Sequence, residues 1–261
     1  MTEIAKEKLI VALDVDRADR ARQLVDALRD SAGMFKVGMQ LFTAAGPDLV
    51  RHIISGGNRV FLDLKYHDIP NTVALAAIEA ARLGVSIFNI HAAGGGEMMK
   101  QAAEAVAEIA LQENLIRPKV IAVTLLTSVD RVTLEQIGID EAAPPVVRRL
   151  ALLAEAAGLD GVVASAQEIK IIHETVTKPE FLIVTPGMRS AQAAADDQRR
   201  TMSVTEAIRA GADYVVVGRP ILNAPDPAEA AREFVHEIAQ ALAMAHPDPE
   251  FTEQTRAQSV H

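Results

Sequence analysis

The sequence predicts a single-domain (β/α)8 (TIM) barrel. The expectation rests on eight short, β-branched apolar runs, on the Ala-rich amphipathic stretch after each, and on the absence of Gly/Ser linkers between them. Near-continuous apolar strands mark a parallel sheet buried on both faces. Eight β–α units in 261 residues suit a barrel of ordinary size. A doubly wound open sheet is the alternative, because periodicity alone does not show closure.

Taken in order, the first run is "KLIVALDV" from Lys8, which reaches Asp14. "MFKVGM" from Met34 carries Lys36, and "RVFLDLKY" from Arg59 carries Asp63 and Lys65. The segment "IPNTVALAAIEAARLG" then spaces Val73, Ala76, Ala77 and Ala80 as one helical face. Pro70 stands where a helix start tolerates it, and Gly84 where a helix ends. "VSIFNIHA" from Val85 ends on Asn89 and His91, and the glycines of "HAAGGGEMMK" either cradle an anion or make a tight turn. "KVIAVTLL" from Lys119 leads to Thr127 and Ser128, and "GVVAS" from Gly161 to Ser165. "FLIVTPG" from Phe181 reaches Thr185 and Gly187, and "YVVVGR" from Tyr214 ends on Gly218 and Arg219. The barrel is expected to occupy residues 1–245. The remainder, 246–261, is polar and contains proline, and is expected to be mobile.

Composition narrows the function. A formal net charge of −9 argues against non-specific nucleic-acid binding, which needs a basic footprint. Aromatic residues at 3% make a base-stacking platform unexpected. With no cysteine, thiolate metal sites, disulfides and cysteine nucleophiles are excluded. The N-terminal "MTEIAKEKLIVALDVD" reads as neither a signal peptide nor a membrane span. A cytoplasmic enzyme or small-molecule binder is the resulting expectation.

The polar residues collect where the strands end, which in a barrel is the active-site face. "FLDLKYHDIPNT" is the densest case, with Asp63, Lys65 and Asp68 within six residues. Strand alternation aims Asp63 and Lys65 at the barrel axis and Leu62, Leu64 and Tyr66 at the helices. With Lys36 from the neighbouring strand, the expected array is Lys36–Asp63–Lys65–Asp68. Such an array either closes the barrel mouth as an ion-pair network or serves chemistry. Carboxylates flanking a lysine favour its ammonium form, which donates a proton and stabilises developing negative charge. The same ammonium is a poor Schiff-base nucleophile. His91 is either catalytic or a hydrogen-bonded support at the mouth. No His/Asp/Glu spacing forms a metal site.

Phosphate binding is expected in the loops after strands seven and eight. "TPGMR" and "VVGRPI" stand there and supply Gly187, Arg189, Gly218 and Arg219. Arg219 is the best single candidate, since its planar fork matches phosphate oxygens and the preceding glycine lets backbone approach.

"FLDLKYHDIPNT" resembles the D-x-K-x-x-D signature of the bacterial orotidine 5′-phosphate decarboxylases, a signature shared with sugar-phosphate synthases and decarboxylases. "ALDVD", "FKVGMQLF", "NIHAAGG", "AVTLLTS", "VTPGMR", "DDQRR" and "VVVGRPI" extend the likeness in order to about Ala245. The resemblance implies cofactor-free decarboxylation of orotidine 5′-monophosphate, with Lys65 protonating the ring carbon and Asp63 facing the substrate carboxylate. It implies a homodimer in which Asp68 serves the neighbouring site. Ribose contacts fall on Asp14, Lys36, Asp68 and Thr72, base contacts on Thr127 and Ser128. Phosphate contacts fall on Arg219 and on Gln198, within a closing loop that Arg189 begins, with Gly218 beside them. A sugar-phosphate aldolase or decarboxylase using Mg²⁺ or a Lys65 Schiff base, and a non-catalytic nucleotide-binding barrel, are the alternatives.

Overall fold

The structure is a computed structural model that describes residues 1–188 and 202–245. Its first half runs α1 (Thr2–Glu7), β1 (Leu9–Ala12), α2 (Ala18–Leu28), β2 (Met34–Gly38), α3 (Met39–Ser55), β3 (Val60–Tyr66), α4 (Pro70–Arg82), β4 (Ile87–His91) and α5 (Gly95–Gln112). The second half runs β5 (Lys119–Val123), α6 (Arg131–Gln136), α7 (Ala143–Ala156), β6 (Gly161–Val163), α8 (Ile169–His173), β7 (Leu182–Pro186), α9 (Val204–Ala210), β8 (Tyr214–Val217), α10 (Arg219–Leu222) and α11 (Pro227–Ala245). Each apolar run of the sequence forms a strand.

The strands pair in parallel in chain order, and β8 returns to β1 through Leu9↔Val215, Ile10↔Val216 and Val11↔Val217. This closure decides for the barrel and against the open sheet. Alternation then sorts the strand side chains into two cores. Ile10, Met34, Phe61, Ile87, Ile121 and Val216 fill the barrel interior with their neighbours. Val11, Phe35, Leu62, Phe88, Val162 and Val217 point outward and join the buried faces of the helices. Burying the strands on both faces is what their unbroken apolar sequences require.

α4 illustrates the local logic. Pro70 occupies its first turn, Val73, Ala77 and Ala80 are its buried stripe, and Gly84 comes next to its end at φ 81° with its N–H bonded to the Ala81 carbonyl at 3.0 Å. A left-handed residue just past a helix is the position glycine takes at least cost. At the N-terminal end of the barrel, α1 lies across Gly33, where a Cβ would come 2.5 Å from the Lys6 carbonyl oxygen. Asp160 closes the same end: it accepts from Arg117 at 2.9 and 3.0 Å and from the Val120 N–H at 2.8 Å. Among the described residues no helix is long and apolar enough to cross a membrane. The C-terminal segment 246–261 lies outside the described residues.

Candidate active site

The C-terminal ends of β1, β2, β3 and β4 bring Asp14, Lys36, Asp63, Lys65 and Asn89 together. Register explains why: β2 pairs with β3 so that Gly38 faces Asp63, and β1 pairs with β2 so that Ala12 faces Lys36. Lys36 Nζ lies 3.1 Å from Asp14 Oδ1 and 3.2 Å from Asp63 Oδ2. Lys65 Nζ lies 2.6 Å from Asp63 Oδ1, and Asn89 Nδ2 donates to the same oxygen at 2.6 Å. Exposure grades outward along the array, with the Lys36 and Asp63 side chains at 12%, Lys65 at 24% and Asp14 at 53%. The anion at the centre is therefore buried, while the Lys65 ammonium reaches the open mouth.

Burial works to raise the Asp63 carboxyl, but the Lys36 and Lys65 ammonium groups, aided by hydrogen bonds from Lys65 and Asn89, outweigh it. The group is held below the ordinary carboxylate value. A buried carboxylate is tolerable only with such partners. Ionised residues can end an apolar strand here because they neutralise one another.

The array differs from the sequence expectation at one end. Asp14, not Asp68, completes it within the chain, giving Asp14–Lys36–Asp63–Lys65. Asp68 is exposed on the β3–α4 loop, and its carboxylate accepts the N–H of Ile69 at 2.7 Å. Spacing in sequence suggested a partner for Lys65, but the chain turns toward α4 before Asp68 can return to the mouth.

Lys65 itself departs from a regular strand. Its φ is 53°, a left-handed value that costs a non-glycine residue about 1 kcal/mol or more. Leu62 pairs with Phe88 and Tyr66 with Ile90, so Asp63, Leu64 and Lys65 together face the single residue Asn89. Leu64 and Tyr66 still pack on the outer core, and the Tyr66 ring tilts against Phe88 with centroids 6.1 Å apart. The expected facing is met, through a bulge rather than through simple alternation.

The other expected residues that the structure describes stand at the same end of the barrel but outside the array. Thr127 and Ser128 are the exposed middle residues of a turn closed by the Val129 N–H on the Leu126 carbonyl at 2.9 Å. Thr72 is exposed in the first turn of α4. Gly187 comes directly after β7 at φ 80°. Gly218 caps α10, and a Cβ there would come 3.2 Å from Asp14 Oδ2, so the β8 loop crosses directly over that carboxylate. Arg219 begins α10 and is exposed. Arg189 and Gln198 lie outside the described residues.

His91 ends β4 and stacks on His67, with ring centroids 5.3 Å apart and planes 25° apart. Its Nδ1 is buried without a hydrogen-bond partner among the described residues, so the expected hydrogen-bonded support is a stacked one at that nitrogen. Burial, with repulsion from His67 and Lys65, lowers its basicity. Among the described residues no group of three or more His, Asp or Glu is placed to hold a metal. Sequence reasoning gave Asn89 no task. The available signal was an amide at an inward position of an apolar strand, and Asn89 keeps only 1% exposure.

A sequence model of the "Orotidine 5′-phosphate decarboxylase / HUMPS family" matches residues 7–234. The chain belongs to this family. It is an enzyme, a carboxy-lyase. The orotidine 5′-phosphate decarboxylase of Geotalea daltonii is 54% identical over 234 residues, covering 90% of this chain and 97% of that one. That of Geobacter sulfurreducens is 55% identical over 235 residues, with the same coverage. Among solved structures, the orotidine 5′-phosphate decarboxylase of Lactobacillus acidophilus superposes with a TM-score of 0.78 at 37% identity, covering 88% of this chain and 98% of that chain. The Methanocaldococcus jannaschii orotidine 5′-monophosphate decarboxylase, solved in complex with the inhibitor BMP, gives 0.69 at 26% identity over the same shares. The family's fold and this barrel are the same.

Proposed function

We propose that the enzyme decarboxylates orotidine 5′-monophosphate to uridine 5′-monophosphate and carbon dioxide, the closing step of pyrimidine nucleotide synthesis, without a metal or organic cofactor. The observation that carries the reading is the Lys65 ammonium at the mouth, held 2.6 Å from a buried carboxylate that is itself braced by Lys36 and Asn89. When the carbon–carbon bond breaks, its electron pair stays on the ring carbon and carbon dioxide departs. That pair has little conjugative relief, so a fixed positive charge must stabilise it. The Lys65 ammonium supplies the charge and then transfers one proton to the ring carbon; solvent restores the proton to the amine. Asp63 orients Lys65 and sits against the substrate carboxylate.

Asp14 and Lys36 take the ribose hydroxyls, and Arg219 with Gly218 the phosphate, joined by Arg189 and Gln198. Thr127 and Ser128 read the base edge. Asp68 and Thr72 complete the ribose site, with Asp68 offered to the active site of a second copy in a homodimer. The exposure of Asp68, away from its own array, supports that arrangement. We assign the enzyme to the cytoplasm, where fractionation should recover it.

The test is loss of the orotate absorbance band when chelator-treated protein meets orotidine 5′-monophosphate, with uridine 5′-monophosphate as product. Lys65→Ala removes a positioned general acid, worth about 10²- to 10⁴-fold, and an electrostatic contact worth about 10²- to 10³-fold. We expect kcat to fall by about 10⁴-fold or more while uridylate binding survives. Turnover that needs added Mg²⁺, or substrate-dependent inactivation by borohydride, would move the chemistry to the sugar-phosphate alternatives.

A further inference from the structure

The bulge in β3 leaves a hydrogen-bonding problem that one side chain solves. Three β3 residues face one β4 residue, so the backbone of β4 cannot track β3 through Asp63, Leu64 and Lys65. The Asn89 amide takes its place. Asn89 Oδ1 accepts the Lys65 N–H at 2.8 Å, and Asn89 Nδ2 donates to Asp63 Oδ1 at 2.6 Å. A short amide accepts at one atom and donates at the other in this geometry at any pH. Its backbone is held on the β5 side by the Asn89↔Ile121 pairing and lies between Phe88 and Ile90, both fully buried.

We propose that Asn89 is the positioning residue for the proton-donating lysine: it holds Lys65 in its left-handed backbone conformation and fixes the Asp63 oxygen to which the ammonium is bonded. Lys65 at φ 53° has a standing tendency to relax toward an ordinary strand. Relaxation keeps the facing of the side chain but displaces the Lys65 backbone, and the ammonium with it, because a bulge bends the strand that carries it and its loss straightens that strand. The Asn89 carbonyl opposes that relaxation, and the Asn89 N–H₂ stops the Asp63 carboxylate from turning with the lysine. This inference rests on the proposed role of Lys65 and deepens it.

The experiment uses full-length Asn89→Ala and Asn89→Asp with orotidine 5′-monophosphate turnover and uridine 5′-monophosphate binding. Misplacing a reacting group by about 1 Å costs about 100-fold. Asn89→Ala should therefore lower kcat by about 100-fold and leave the nucleotide Kd within about threefold. Asn89→Asp keeps the shape and fold, keeps an acceptor for the Lys65 N–H, but replaces the donor by an anion facing Asp63. A second carboxylate so close makes the pair easier to protonate once. When the new carboxyl is protonated it again donates to Asp63 and accepts from Lys65, so activity relative to the parent should recover as pH falls.

The titratable groups around position 89 are Asp63 and Lys65 on β3, Lys36 behind Asp63, and His91 stacked on His67. Asn89→Ala retains them all, so a recovery present in Asn89→Asp and absent from Asn89→Ala belongs to the new carboxyl. A merely structural asparagine predicts lower thermal stability with kcat unchanged and parallel pH profiles in both variants, and that result overturns the proposal. If the parent enzyme fails to turn over orotidine 5′-monophosphate, the functional reading falls first. If the parent is active and both variants match it, only the role of Asn89 falls.

Discussion

Asp63→Asn is the sharpest test of the charge array, because it removes one charge and little else. Asp63 is 9% exposed, with ammonium nitrogens at 2.6 and 3.2 Å. At an effective dielectric of about 20, each contact attracts with about 5–6 kcal/mol. Desolvation of the ions offsets most of that, at several kcal/mol per ion. Removing the anion alone does not remove the cations' share of the cost. Lys36 and Lys65 stay at the mouth as like charges with an uncharged amide between them. Breaking a buried pair on one side costs about 3–5 kcal/mol. Lys36 keeps Asp14 at 3.1 Å and Lys65 is partly solvated, so the lower end, about 3 kcal/mol, is expected.

Urea unfolding at neutral pH measures it. With a slope of about 3 kcal/mol/M the midpoint should fall by about 1 M. The pH dependence has a fixed sign. The folded Asp63 carboxyl lies below its ordinary value, so its contribution is complete above the unfolded pKa of about 3.9 and fades as pH drops through the folded one. The gap between parent and variant should be flat from about pH 8 to pH 5 and narrow below about pH 4. A midpoint unchanged at neutral pH, or a gap that widens on acidification, would refute the reasoning.

Two other substitutions separate the ends of the barrel. Arg219→Ala should lower kcat/KM for orotidine 5′-monophosphate by about 100-fold, the scale of a lost charge-assisted phosphate contact. Turnover of orotidine, which lacks the phosphate, should be the same in both proteins, and steady-state kinetics on the two substrates reads the difference. Asp160→Ala, at the opposite end, strips Arg117 and the Val120 N–H of their acceptor and should cost about 3–5 kcal/mol in urea unfolding while kcat at moderate temperature stays unchanged.

The eight strands were legible because a parallel barrel buries every strand twice, leaving unbroken apolar runs that no surface element imitates. Their polar ends were legible for a related reason: Asp14, Lys36, Asp63 and Lys65 interrupt sequences that otherwise admit no charge. Three-dimensional pairing was less accessible. "DLKYHD" places Asp68 nearer to Lys65 in sequence than Asp14 is to Lys36, yet parallel register joins the latter pair across 22 residues and the loop carries Asp68 away. The six-residue α1 has too little periodicity to announce itself; it is held by what it touches, including Gly33.

The bulge was illegible for a deeper reason. Alternation gave the correct facing for Asp63 and Lys65, so nothing in the pattern of β3 signalled that its pleat breaks. The cause lies 24 residues away, in an amide on β4 that stands in for a missing rung of the ladder. A regular β3 would satisfy its backbone through β4 and leave the buried Asn89 Oδ1 without the Lys65 N–H, a cost of about 1–3 kcal/mol that is of the same order as the strain at Lys65. Irregular β3 leaves the Lys65 N–H without a backbone acceptor, and the same amide supplies one. The strained backbone and the buried amide each carry a cost alone, and the contact between them offsets both. The strain at Lys65 is therefore held between two strands, in a contact that neither strand's sequence displays on its own.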